Sequence, residues 1–100
     1  MLANDAQLLV LCALAEGPLH GYAINTAIER LTGERLAPGS LYGALTRLEA
    51  KGLLVEAADG TGRQRPVRLT GKGKELLERE LRSMARVAST GLQRLGVSPA

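Results

Sequence analysis

Residues 38–52 read PGSLYGALTRLEAKG. Within this stretch Leu41, Ala44, Leu45 and Leu48 recur at steps of three and four, the spacing that aligns side chains on one face of an α-helix. Gly43, Thr46, Arg47, Ala50 and Lys51 fall on or beside the opposite face. Pro38 suits a first helical turn, where its missing N–H has no carbonyl to meet, and Gly52 suits the residue just past the end. The stretch therefore reads as a helix over 38–51, with an apolar side for a core and a small, weakly basic side left free. A free face with so little bulk, one Arg and one Thr is shaped to lie in a groove.

Outward from this helix, 100 residues give room for one small domain, whose core is marginal unless something such as oligomerisation adds to it. Apolar residues make up 45% of the chain, yet there is no Phe or Trp and there are two Tyr, so the core falls to Leu, Ala, Val and Ile. No apolar run approaches the roughly 18 residues of a membrane span. The run from Leu8 to Ala15 has neither a basic leader nor a cleavage site, and the expectation is a cytoplasmic chain without a membrane segment. Cys12 stands alone, which excludes an internal disulfide and a multi-cysteine metal site. One helical turn from Leu8 and Ala15, it reads as a small buried hydrophobe, with redox sensing as the alternative. One His, one Cys, no paired carboxylates in a recognisable setting and no phosphate-loop pattern assemble no nucleophile and base. No enzyme, cofactor or metal is expected.

Upstream, Asn4 suits an N-cap with Gln7 three residues on, and a first helix is expected over about 5–16. Its middle is apolar all the way round, so it must be covered on more than one side. The expectation is that one cover comes from the domain and the other from a second subunit. Gly17-Pro18 ends this helix, and a second follows over about 20–32, with Ile24, Ala27, Ile28 and Leu31 as its stripe. Two helices joined by the short link 34–37 make a helix-turn-helix candidate.

Downstream the pattern changes. LLVEA at 53–57 and PVRLT at 66–70 are short strand candidates separated by a glycine-bearing stretch, which predicts a β-hairpin over 53–70. Helix, helix, helix, hairpin is the winged-helix order, so residues 1–70 form one such domain and the hairpin tip is its wing. Residues 1–70 balance seven Lys or Arg against seven acids, and the net charge of +3 arises beyond them. Locally, however, Arg63, Arg65, Arg68, Lys72 and Lys74 follow one another with no acid between, a patch suited to a polyanion. Arg63, Gln64 and Arg65 on the wing tip can follow a sugar–phosphate backbone or enter a minor groove, or serve as a solvated tip.

The last segment, 71–96, returns to helical spacing through Leu77, Leu81, Met84, Ala88, Leu92 and Leu95, a seam like that of a coiled coil. Gly71 and Gly73 weaken its first turn, and Lys72 and Lys74 oppose the helix dipole there. These lysines read either as phosphate contacts or as part of a frayed, solvated start. The helix is expected to pair with its symmetry mate and with Leu9 on the partner's first helix, leaving 97–100 as a tail. The fold class is mainly α with a small β-hairpin wing: a winged helix-turn-helix domain plus a C-terminal dimerisation helix.

Three segments, LLVLCALAEGPLHG at 8–21 continuing into Tyr22, PGSLYGALTRLEAKGLL at 38–54 and RPVRLTGKGKELL at 65–77, resemble in that order the PadR family of bacterial transcriptional regulators. The resemblance implies a homodimer whose two winged helices sit on the half-sites of a pseudo-palindromic operator in double-stranded DNA, with repression often relieved by a small-molecule effector. Amides at Gly39 and Ser40 can face a phosphate at the helix start. Thr46 and Arg47 are the candidates for base edges, and Lys51 for the backbone. Tyr42 is expected to pack its ring and leave its hydroxyl wet for phosphate. Tyr22 matches a tyrosine of the family pattern. His20 beside it reads as a structural hydrogen-bonding residue or a phosphate donor. With no Phe or Trp, stacking of a flat aromatic effector at the dimer centre is expected to be absent or weak. The rival reading is a winged-helix protein-interaction or assembly module without specific DNA binding.

Overall fold

The computed structural model describes residues 5–57 and 65–97. The elements follow the order α1 (Ala6–Ala13), α2 (Gly21–Thr32), α3 (Pro38–Ala50), β1 (Leu54–Glu56), β2 (Val67–Leu69) and α4 (Gly71–Arg94). Among the described residues, four helices and one small antiparallel hairpin realise the mainly α class with a small hairpin wing read from the sequence.

Helix α1 is the centre of the core. Its N-cap is Asp5, whose Oδ1 accepts from the Leu8 amide at 3.1 Å, and not Asn4, which lies outside the described residues. Gln7 Oε1 accepts from Lys51 Nζ at 2.8 Å. The helix stops at Ala13, short of the expected 16, because the Leu14 and Ala15 amides bond back to the Leu11 and Cys12 carbonyls and tighten the last turn before Gly17-Pro18. Leu8, Leu9, Val10, Leu11, Ala13 and Leu14 are all buried within this one chain, under α2, α3 and α4. A second subunit is therefore not needed to cover α1, and Leu9, at 7% exposure, has almost no surface to offer one. The expected role of Leu9 in a dimer contact loses its physical basis.

Helix α2 buries Ile24 and Ile28 but leaves Leu31 at its exposed end, and it stops at Gly33, whose φ of +85° favours glycine. Helix α3 buries the whole expected stripe of Leu41, Ala44, Leu45 and Leu48. The hairpin pairs Leu54 with Leu69, Val55 with Arg68 and Glu56 with Val67. Leu19, just before α2, exchanges backbone hydrogen bonds with Val67 at 3.1 and 2.9 Å. That bridge fixes the start of α2 against β2 at the Glu56–Val67 end of the hairpin.

Helix α4 buries Leu77 and half-buries Met84 against the core. At about 1.5 Å per residue, its 24 residues span about 36 Å, more than either short dimension of the 52 × 26 × 20 Å molecule. Among the described residues no helix is long and apolar enough to cross a membrane.

Candidate nucleic-acid interface

The chain enters α3 through Ala37, an extended residue that offers no side-chain cap, and Pro38 takes the first helical position. The Leu41 amide bonds to the Ala37 carbonyl at 3.0 Å. The Gly39 and Ser40 amides make no hydrogen bond among the described residues, and both residues are exposed. Two N–H groups at the positive end of the helix dipole therefore face solvent.

Along α3 the exposed face borders a cleft of about 290 Å³ between the start of α2, α3 and the hairpin. Five residues singled out from the sequence meet on its walls: His20, Tyr22, Tyr42, Thr46 and Arg65. Tyr42 is 58% exposed, so its ring is less packed than expected. Its hydroxyl rests against Gly21, where an added Cβ would lie 3.1 Å from the oxygen, and the glycine is what admits this approach. Thr46 Oγ1 donates to the Tyr42 carbonyl at 3.0 Å, which leaves its lone pairs to accept from outside. Arg47 is exposed and folds its Nη1 back over Gly43, 3.2 Å from where a Cβ would stand. Arg65 pairs with Glu56 at 3.3 Å, both largely in water. Glu49 joins Glu56 on the cleft wall, so the site mixes charge. Arg63 and Gln64 lie outside the described residues.

Three lysines stand apart from this group. Lys51 Nζ reaches Gln7 on α1, and Lys72 Nζ donates to the Lys51 carbonyl at 3.0 Å, closing the C-terminus of α3 where a cation is favourable. Lys74 borders a separate hollow with Ala15, Leu69, Leu77 and Leu81. Arg65, Lys72 and Lys74, close in sequence, are thus dispersed in space, because the chain turns into α4 at Thr70.

Arg35 was not among the residues singled out. Its guanidinium lies over the Tyr22 ring, 5.1 Å from the centroid, and its Nη1 donates to Glu29 at 3.1 Å. Its neighbourhood is created by the turn between α2 and α3, so no local pattern announces it. Cys12 is half-buried, and burial raises its thiol above the ordinary range, which opposes the thiolate a redox sensor needs. Among the described residues no three His, Cys, Asp or Glu side chains group as a metal site.

A helix-turn-helix whose second helix presents a free face beside a two-stranded hairpin defines a winged helix-turn-helix domain. The model of the transcriptional regulator PadR-like family matches residues 10–79, and the chain belongs to that family. The family consists of transcriptional regulators, not enzymes. The chain is 36% identical over 85 residues to the transcriptional regulator Rv3488 of Mycobacterium tuberculosis, covering 82% of this chain and 78% of that protein. It is 68% identical over 88 residues to an uncharacterized 37.1 kDa protein in transposon TN4556 of Streptomyces fradiae. That match takes in 88% of this chain but 25% of the Streptomyces protein. In three dimensions it is similar to a PadR family transcription regulator from Clostridium difficile, with a TM-score of 0.76 at 27% identity, covering 92% and 99% of the two chains.

Proposed function

We propose that this chain is a cytoplasmic homodimeric repressor that binds a pseudo-palindromic operator and is released by a small-molecule effector. The observation that carries the DNA-binding part is the convergence of His20, Tyr22, Tyr42, Thr46 and Arg65 on one cleft beside the free face of α3. In this reading α3 enters the major groove with Thr46 and Arg47 toward base edges, Arg47 favouring guanine. The Gly39 and Ser40 amides, the Tyr42 hydroxyl, Tyr22 and His20 hold phosphates on either side. Arg65, with Arg63 and Gln64, follows the backbone or the minor groove as the wing. Lys51, Lys72 and Lys74 add long-range attraction and no base reading.

The rival assembly-module reading draws on Glu49 and Glu56 in the cleft wall, which a purely phosphate-binding surface would avoid. One titration separates the two. Duplexes selected from a random pool by the purified chain are expected to bind about 10³-fold or more tighter than random sequence, with affinity falling steeply as salt rises. Equal binding to random DNA, or none, rejects operator recognition. On the selected duplex Arg47→Ala is expected to cost about 1–3 kcal/mol and to relax preference at one position per half-site. Unchanged affinity and preference would remove Arg47 from the reading set.

A further inference from the structure

Arg35 sits in the turn between α2 and α3, and the backbone on both sides of it is pinned by side chains of α2. On one side the Glu34 amide donates to Thr32 Oγ1 at 3.1 Å, and that hydroxyl lies 3.0 Å from the Ile28 carbonyl. On the other, Asn25 closes a double hydrogen bond with Leu36, its Oδ1 accepting from the amide and its Nδ2 donating to the carbonyl, each at 2.8 Å. Asn25 is 8% exposed, and its polar atoms are spent entirely on holding this turn. The guanidinium is held as well: its Nη1 reaches Glu29 at 3.1 Å and Thr26 Oγ1 at 3.4 Å, and its central carbon lies over the Tyr22 ring. Its Nε and Nη2 have no hydrogen-bond partner among the described residues. A cation positioned this way loses little freedom on meeting an anion.

We propose that Arg35 is a phosphate-contacting residue of the DNA interface and that Glu29 is a carboxylate competing for it. Tyr22 links this cation to the cleft, since the ring that carries Arg35 also forms the cleft wall beside Tyr42. The same turn leads into Pro38, Gly39 and Ser40, so the cation and the unpartnered amides follow one another along the chain. Arginine suits the task because its fork matches two phosphate oxygens. The Glu29 pair is exposed to water and therefore weak, so a phosphate can replace it. The inference rests on the DNA-binding reading and adds a contact and a built-in competitor that this reading does not contain.

The test uses the full chain and a random-sequence duplex of about 30 base pairs, because phosphate contacts do not depend on sequence. R35A is expected to weaken binding about three- to ten-fold near 0.1 M salt and to lower the slope of log K against log salt by about 1. E29Q removes the same ion pair but releases the cation, and is expected to tighten binding about two-fold. If the pair matters only for holding the turn, the two variants shift binding in the same direction with the slope unaltered, which overturns the inference. Should R35A lose helicity, R35Q, whose amide keeps contact with Tyr22, carries the same expectation of a reduced slope. A wild-type chain that binds no duplex overturns the DNA-binding reading and this inference with it. A wild type that binds while R35A matches it overturns this inference alone.

Discussion

At Gly73 the backbone of α4 touches the backbone leaving α3: an added Cβ would overlap the Leu53 carbonyl oxygen and stand 3.1 Å from its carbon. That oxygen already accepts the Thr70 amide at 3.0 Å, so it cannot turn aside as a flexible side chain would. Helix propensity favours Gly73→Ala by about 1 kcal/mol, but the overlap outweighs it. A net loss of about 1–3 kcal/mol in urea unfolding is expected. Gly71 is the control, since no atom lies within 4 Å of its Cβ position. Gly71→Ala is expected to stabilise by about 0.5–1 kcal/mol. Two glycines that read alike in the sequence thus receive opposite signs, and equal effects at both would refute the close-approach account. Arg47 and Gly43 make a milder case, because the atom nearest Gly43 is the end of a flexible guanidinium that can swing away.

Between elements, Thr70 is the joint. Its hydroxyl accepts from the Gly73 amide at 3.0 Å as N-cap of α4 and donates to the Gly52 carbonyl at 2.7 Å, just past α3. With Lys72 on the Lys51 carbonyl, this gives α4 a fixed seat on the end of α3. Thr70→Val keeps the shape and removes both hydroxyl bonds, at an expected cost of about 1–2 kcal/mol in urea unfolding, while Thr70→Ser stays within about 0.5 kcal/mol. A Thr70→Val chain as stable as the wild type would show that water replaces the joint without loss. The elements themselves were largely legible in the sequence because each leaves a side-chain pattern: the stripe of α3, the Gly33 stop of α2, the two short apolar strands. The Leu19–Val67 bridge was not, since it consists of backbone hydrogen bonds and carries no residue signature. The cap of α1 was misplaced by one residue because Asn4 and Asp5 are both good caps and only geometry chooses. In the site, Thr46 and Arg47 could be found as the reverse of a buried stripe. Arg35 could not, because Tyr22 and Glu29 meet it only after the turn closes. Where Lys72 and Lys74 lie was also hidden: two residues apart in sequence, one reaches the Lys51 carbonyl and the other borders the hollow beside Leu77.

For the whole molecule, the expected second subunit must find its surface elsewhere than α1, whose apolar side chains the chain buries by itself. For the proposed dimer, helix α4 is the candidate surface. Leu81 is 41% exposed, Val87 70% and Leu95 79%, while Ala88 in the middle of the seam is open to solvent. Large apolar side chains spaced along an outlying helix are covered at low cost by the same helix of a second copy, each side contributing the same stripe. The wild-type chain is therefore expected to have a solution mass of twice 10.6 kDa by light scattering. Ala88→Arg places a charge in mid-seam without touching the protomer's own core, so it should give a folded monomer of unchanged helicity. Joining two half-site readers raises their effective concentration for each other, and losing that link is expected to weaken binding to a two-half-site duplex by about 10²–10⁴-fold. Binding to a single half-site should hardly change, because the α3 face and the cleft remain intact. A monomeric wild type would refute the seam. A monomeric Ala88→Arg chain with undiminished affinity for the paired site would show that the half-sites are read independently, and that the two-fold symmetry of the operator does not act through α4.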